Sequence, residues 1–318
     1  AKMNGTFMYA SEIKSLLRHP DFVKELNAEA LKPYMTFQYP AIGETFFKGV
    51  YKLPEGHYFT YRDGKMDIHR YYDEDFREGK QKLGELVNSI DQTVCDSVKA
   101  HQIADVEVGS FLSSGVDSSY VAAVARPQHT YSIGFGKGTY NESQQAGELA
   151  ELLKLNNTAE SLTDEEAFAA FPRIQWHLDE PDSNPSCVPL YFLSALAAKD
   201  VKVVLSGEGA DELFAGYIDY GVHTKFKPIK VVTRWLTHLP AARKAIARFC
   251  KGKTFPGAWH LYANLAPAEE SFIGQARVFE ESQSEQLLKP EYRKAPSVQS
   301  IVDKTYARVE GKGLSELK

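Results

Sequence analysis

The chain is 318 residues long, enough for one large domain or two. Hydrophobic residues make up 43% and charged residues 25%, which excludes a disordered or fibrous chain. Lysine and arginine total 37 against 42 aspartates and glutamates, a net charge of -5 with no dense basic run, which argues against nucleic acid as a partner. Cys95, Cys187 and Cys250 are too scattered for a disulfide framework or a CxxC metal site, so the reducing cytoplasm is the expected compartment. No apolar run reaches about 18 residues. The opening AKMNGTFMYASEIK lacks the charged-then-apolar order of a signal peptide, and neither a membrane span nor export is expected.

Residues 1–72 read as a small β-rich segment, with FMYA, ETFFKGVYKL, GHYFTYRDG and MDIHRYY punctuated by turn residues. FTYRDGKMDI predicts a hairpin around Asp63-Gly64. So few strands make a thin core, and the segment reads as the tail of a larger domain. DEDFREGKQK, from residue 73, reads as a linker. Leu83, Leu86, Val87, Ile90, Val94 and Val98 then recur at helical spacing and predict a buried helix face, with Cys95 beside it as a small buried thiol.

Next, strand-like and helix-like pieces alternate: VEVGSFL, a helix after Asp117, HTYSIGF, ESQQAGELAELLK, TAESL, DEEAFAAFPRIQWH, VPLYFLSALAAK and VKVVLS. Such alternation predicts an α/β fold, a parallel twisted sheet with helices on both faces. Beyond residue 222 the pattern becomes helical and loop-like.

Two turns follow apolar strands, the place where ligands sit in such sheets. In FLSSGVDSSYVAAVA, residues Ser113, Ser114, Gly115, Val116, Asp117, Ser118 and Ser119 offer N–H groups and hydroxyls at a helix N-terminus, which suits a phosphate. An ordinary N-cap accounts for the same composition. The second turn, LSGEGADELFAGY, combines Gly207 and Gly209 with Glu208, Asp211 and Glu212. Carboxylates beside a phosphate imply a cation between them, and Mg²⁺ held by Asp117 and Asp211 would make both turns one nucleotide site. An acidic first turn satisfying the helix dipole explains Asp211 or Glu212 but not the run Ser-Gly-Glu-Gly.

FLSSGVDSSYVAA resembles the SGGxDS pattern of PP-loop ATP pyrophosphatases, and VKVVLSGEGADELFAGY resembles the matching loop of class B, glutamine-dependent asparagine synthetases. YASEIKSLLRHP, YNESQQAGELAELL and HLDEPDSNPSCVPLYFLSALAAK resemble further segments of that family, so the likeness runs from about residue 9 to 217. It implies that 1–72 is the C-terminal part of a glutaminase domain and 73–318 a synthetase domain. It implies further that Ser113, Ser114, Gly115, Asp117, Ser118 and Ser119 bind the β- and γ-phosphates of ATP, with Ser206 and Gly207 also contacting the nucleotide. Asp117 and Asp211 would hold Mg²⁺, and Phe111, Leu112 and Ile133 would line the adenine pocket, although strand ends are equally well read as core. Glu208 would stand near the acyl-transfer centre. The implied reaction turns aspartate into asparagine through β-aspartyl-AMP, with ammonia or glutamine as nitrogen source, and leaves room for a homodimer.

Ser114 stands where the family pattern has a glycine. Ala1 stands where its glutaminases have a nucleophilic cysteine, and GLSELK ends before its RxPFLD segment and a pyrophosphate-contacting lysine. These departures predict a fragment that does not hydrolyse glutamine, binds ATP·Mg weakly and forms little asparagine. Three rivals stand: a β-lactam-synthetase-like amidotransferase, a PP-loop RNA-modifying enzyme, disfavoured by the acidic balance, and a nucleotide-binding module without turnover.

Overall fold

The structure is a computed structural model. It describes residues 1–74, 79–135, 142–217, 220, 239–251, 253, 255–266, 268–271, 273–274 and 277–308. The chain divides into two compact units: Ala1–Glu78 with Asp179–Asp182 and Ile218–Lys318, and Gly79–Leu178 with Ser183–Tyr217. Part of the expected linker at 75–78, the start of YNESQQ and the terminal GLSELK lie outside the described residues.

The first unit opens with β1 (Lys2–Met3), β2 (Thr6–Phe7), α1 (Ile13–Leu16), α2 (Leu31–Phe37), β3 (His57–Arg62) and β4 (Lys65–Arg70). β3 and β4 pair antiparallel from His57↔Arg70 to Arg62↔Lys65, with Asp63 and Gly64 at φ 52° and 75°. That is the Asp-Gly hairpin read from the sequence, its turn twisted to match the strands. Met8, Leu16 and Val50 form a small core with Phe22 and Phe47. Phe37 of α2 packs with Val298 and Val302 from the far end of the chain. The buried Lys32 pairs with Glu281 and Glu285 at 2.9 and 3.5 Å.

Asp179 caps a helix distant in sequence. Glu12, the N-cap of α1, makes no side-chain cap, and the Asp179 carboxylate instead accepts from the N–H groups of Ile13 (2.7 Å) and Lys14 (3.2 Å). The Lys14 ammonium lies 2.9 Å from the same carboxylate. Burial opposes its charge, but Asp179 and Glu12 outweigh that and hold the Lys14 pKa above its usual value. Beside it, Glu180 accepts from Phe46 N–H at 2.9 Å and pairs with Lys52. Hydrogen bonds to a charged group contribute about 1.5–3 kcal/mol, so Asp179→Asn is expected to cost about 2 kcal/mol. The check is a lowered urea midpoint at unchanged slope.

The second unit holds α3 (Leu83–His101), β5 (Val108–Phe111), α4 (Val116–Ala125), β6 (His129–Phe135), α5 (Glu142–Leu153) and β7 (Asn156–Leu162). α6 (Asp164–Leu178), α7 (Cys187–Ala197), β8 (Val203–Leu205) and α8 (Ala210–Phe214) complete it. Among the described residues, the α-helices α9 (Pro240–Cys250), α10 (Ala258–Leu265), α11 (Ala268–Ser271), α12 (Glu281–Leu287) and α13 (Val298–Tyr306) belong to the first unit. α6 begins with a reciprocal cap: Thr163 N–H donates to the Glu166 carboxylate at 2.9 Å, and Glu166 N–H donates to Thr163 Oγ1 at 3.2 Å. The Thr163 N–H and then its hydroxyl hold the Glu166 carboxyl below its ordinary pKa.

The sheet is parallel, in the order β7-β6-β5-β8. Its faces carry separate cores. On one, Leu112 packs with Ala122, Ala146 and Ala150 of α4 and α5. On the other, Tyr131 packs with Leu196 and Ala197 of α7 and with Val201. Burying a leucine such as Leu112, 2% exposed, stabilises by about 1.5–3 kcal/mol. The Tyr131 hydroxyl donates to Asp200 at 3.2 Å, and burial together with that carboxylate pushes its pKa up to about 12.

The helical stripe on α3 is corrected by the structure. Leu83, Val87 and Ile90 are 78%, 54% and 41% exposed, and Leu86 is exposed too. Only the C-terminal end, Val94, Cys95 and Val98, is covered to any degree. Helical spacing places residues on one face, but burial needs a partner, and among the described residues α3 packs mainly against α4. Cys95 is accordingly half-buried.

Candidate functional site

From β5 the chain passes to β6 and β7 on one side, then returns to β8 on the other. The strand order therefore reverses between β5 and β8, and a crevice opens at the carboxyl ends of strands at such a point. Both glycine-and-acid turns leave from these two ends. Ser110 stands beside Leu205 in the ladder, so the chain enters each turn from adjacent strands.

The first turn is held by its own hydroxyls. Ser113 N–H donates to Ser118 Oγ at 3.1 Å, the two hydroxyls are 2.8 Å apart, and Gly115 N–H donates to Ser113 Oγ at 3.1 Å. Ser119 Oγ donates to Gly115 O at 2.6 Å. α4 begins at Val116, so Asp117 lies inside its first turn rather than before it. The N-cap is Gly115, whose place is not taken by any side-chain acceptor. A serine or aspartate cap would have satisfied one of the helix's orphan donors. Here, among the described residues, the N–H groups of Ser114, Val116, Asp117 and Ser118 have no acceptor. Free N–H groups at a helix N-terminus favour an anion.

Gly207 brings the second turn against the first. A Cβ built on it would stand 2.6 Å from Ser118 N and 2.8 Å from Asp117 C, so only a glycine lets the two backbones approach this closely. α8 starts from Gly209, φ 89°, with Asp211 and Glu212 in its first turn. Glu208 N–H lies 3.4 Å from Ser206 Oγ, and Tyr217 donates to Glu212 at 2.7 Å.

Asp117, Ser114, Ser206 and Glu208 are exposed, and Ser113, Ser118, Ser119, Gly207 and Asp211 are partly covered. No hydrogen bond among the described residues joins Glu208 or Asp211 to the first turn. Phe111 packs in the α7-side core and Leu112 in the core on the opposite face; Ile133 is half-buried. The sequence reading passed over Ser132, whose Oγ donates to Leu112 O at 2.7 Å just ahead of the first turn. The available signal was a serine in the middle of a strand that a two-sided sheet would otherwise fill with apolar residues.

No three His, Cys, Asp or Glu side chains among the described residues group closely enough to hold a metal by themselves. Mg²⁺ ordinarily takes one or two carboxylates together with substrate phosphates, so carboxylates such as Asp117 and Asp211 are of the chemical type that would suit it. No helix among the described residues is long and apolar enough to cross a membrane.

Residues 1–72 match the sequence model of a glutamine amidotransferase domain. Asparagine synthetase (glutamine-hydrolysing) 1 of Bacillus subtilis is 36% identical over 90% of this chain and 45% of its own length. Asparagine synthetase B (glutamine-hydrolysing) of Escherichia coli is 29% identical over 71% of this chain and 43% of its own length. The chain thus spans less than half the length of these two relatives. The asparagine synthase model covers residues 89–308, which takes in both turns and well over half of the sequence, and the chain belongs to that family.

Proposed function

We propose that this chain is part of an enzyme for the ATP-dependent amidation of aspartate to asparagine, with residues 1–72 as part of a glutaminase domain and 73–318 as the synthetase domain. The observation that carries this reading is the close approach of Gly207 to Asp117 and Ser118 at the switch point of the sheet. Relatives named as glutamine-hydrolysing support glutamine as the ammonia source in a protein of their length.

Aspartate is a poor acyl donor because its leaving group would be oxide. Its β-carboxylate attacks the α-phosphorus of ATP, and pyrophosphate leaves as β-aspartyl-AMP forms. The N–H groups of Ser114, Val116, Asp117 and Ser118 receive the β- and γ-phosphates at the positive end of α4, joined by the hydroxyls of Ser113, Ser118 and Ser119 once these turn from their partners within the turn. Ser206 and the Gly207 backbone bound the nucleotide from the second turn. Asp117 and Asp211 are the residues that would hold Mg²⁺, which supplies positive charge against the phosphates. The adenine lies against the ends of β5 and β6, where Phe111, Leu112 and Ile133 supply backbone and packing. Ammonia then attacks the acyl carbon, AMP departs, and the exposed Glu208 carboxylate takes the proton that the nitrogen sheds.

Exchange of labelled pyrophosphate into ATP tests the reading across a panel of carboxylic acids. Weak exchange is expected with aspartate and Mg²⁺ and none with the other acids. Exchange driven by an N-carboxyalkyl amino acid but not aspartate would move the assignment to a β-lactam-synthetase-like reaction. Nucleotide binding with no exchange on any acid would leave a module without turnover.

A further inference from the structure

A polar seam runs through the middle of the sheet. Thr130 and Ser132 lie on one face of β6, 0% and 1% exposed. Their hydroxyls each lie 3.0 Å from Oδ1 of Asn157 on β7. Each also faces a backbone carbonyl: Thr130 that of Asn156 at 3.0 Å, Ser132 that of Leu112 at 2.7 Å.

Each hydroxyl has one proton to donate. With the amide oxygen of Asn157 towards them, both protons are claimed twice, by the amide and by a carbonyl. A carboxamide turned by half a rotation keeps its shape and places Nδ2 at the same point. Its two N–H groups then donate one to each hydroxyl, and both hydroxyl protons go to the carbonyls. That arrangement gives both buried hydroxyls and both carbonyls a partner, which low-dielectric surroundings demand.

We propose that Asn157 presents its NH₂ to Thr130 and Ser132, so committing the Ser132 proton to the Leu112 carbonyl, and that this pair positions the backbone entering the phosphate-binding turn. Leu112 is the residue from which the turn departs. Its side chain is buried and its N–H donates to Tyr131 O at 2.8 Å. The Ser132 hydroxyl adds a hold on its remaining polar group. The inference rests on the nucleotide site proposed above; Ser132 and Asn157 are positioning residues that act through the turn.

The test combines S132A, S132T and N157D, read by amide hydrogen exchange over residues 113–119, Mg·ATP affinity by calorimetry and thermal melting. S132A leaves a buried carbonyl without its donor and is expected to speed exchange in the turn and weaken Mg·ATP about tenfold. S132T keeps the hydroxyl and restores most of the affinity, a rescue that a mere packing role would not produce. N157D keeps the shape but can only accept, so it draws the Ser132 proton away and is expected to resemble S132A. Turn exchange unchanged in S132A would overturn the positioning role, and N157D behaving as the unsubstituted chain would overturn the amide orientation. Should the unsubstituted chain bind no Mg·ATP, the nucleotide reading fails, while hydrogen exchange over 113–119 still decides the positioning role.

Discussion

Gly207→Ala is expected to lower aspartate-dependent ATP–pyrophosphate exchange about a hundredfold, because displacing reacting groups by about 1 Å costs on that scale. The added methyl would meet Ser118 N at 2.6 Å and Asp117 C at 2.8 Å. Both neighbours are backbone, with no flexible side-chain end to swing aside. The second turn must withdraw from the start of α4, and overpacking of this kind costs about 1–3 kcal/mol. A melting temperature only a few degrees lower would show that the sheet survives while the site opens. Gly209→Ala is the control. Its φ of 89° makes the substitution strained, but nothing lies within 4 Å of its Cβ, so the turns keep their approach. Equal loss in both variants would show that the strain of α8, rather than the contact with α4, governs activity.

Asp117→Asn and Asp211→Asn are each expected to reduce exchange by about 10²-fold, the scale on which removing one electrostatic partner of a developing charge acts. Half-maximal Mg²⁺ should rise in both, and removing Mg²⁺ with a chelator should abolish exchange in the unsubstituted chain. The double variant should lose little more than either single one, since groups that act as a unit are far from additive. Stability is expected to change little. Neither carboxylate accepts a hydrogen bond among the described residues, and Asp117 is exposed at the first turn of α4. Losing its charge there forfeits about 0.3–1 kcal/mol of helix-dipole interaction. Full exchange activity in either variant would remove that residue from the metal site; loss that tracks unfolding would make its role structural.

Much of the architecture was legible in local pattern. The Asp63-Gly64 hairpin announced itself through turn chemistry, because few residue pairs accept two successive positive φ angles. The alternation of strands and helices from Val108 to Leu205 indicated a parallel sheet, because such strands need crossovers. The serine-rich and glycine-acid turns were visible as composition. Their meaning was not, since SSGVDSS reads equally well as a cap. The α3 stripe failed for the same reason that it was persuasive: helical spacing records which residues share a face and says nothing of what covers that face.

The sequence by itself determined the hairpin, the parallel class and the residue types at each strand end, because these follow from backbone preferences and spacing over a few residues. The tertiary structure decided which strand ends are neighbours. The order β7-β6-β5-β8 sets Leu205 beside Ser110 and so Gly207 against Asp117 and Ser118, across about ninety residues of chain. It also decided that the N–H groups at the start of α4 go uncapped, that Asp179 caps α1 from far along the chain, and that Ser132 reaches the Leu112 carbonyl. Each of these depends on where a donor finds its acceptor, and burial enforces that pairing only when remote segments have packed.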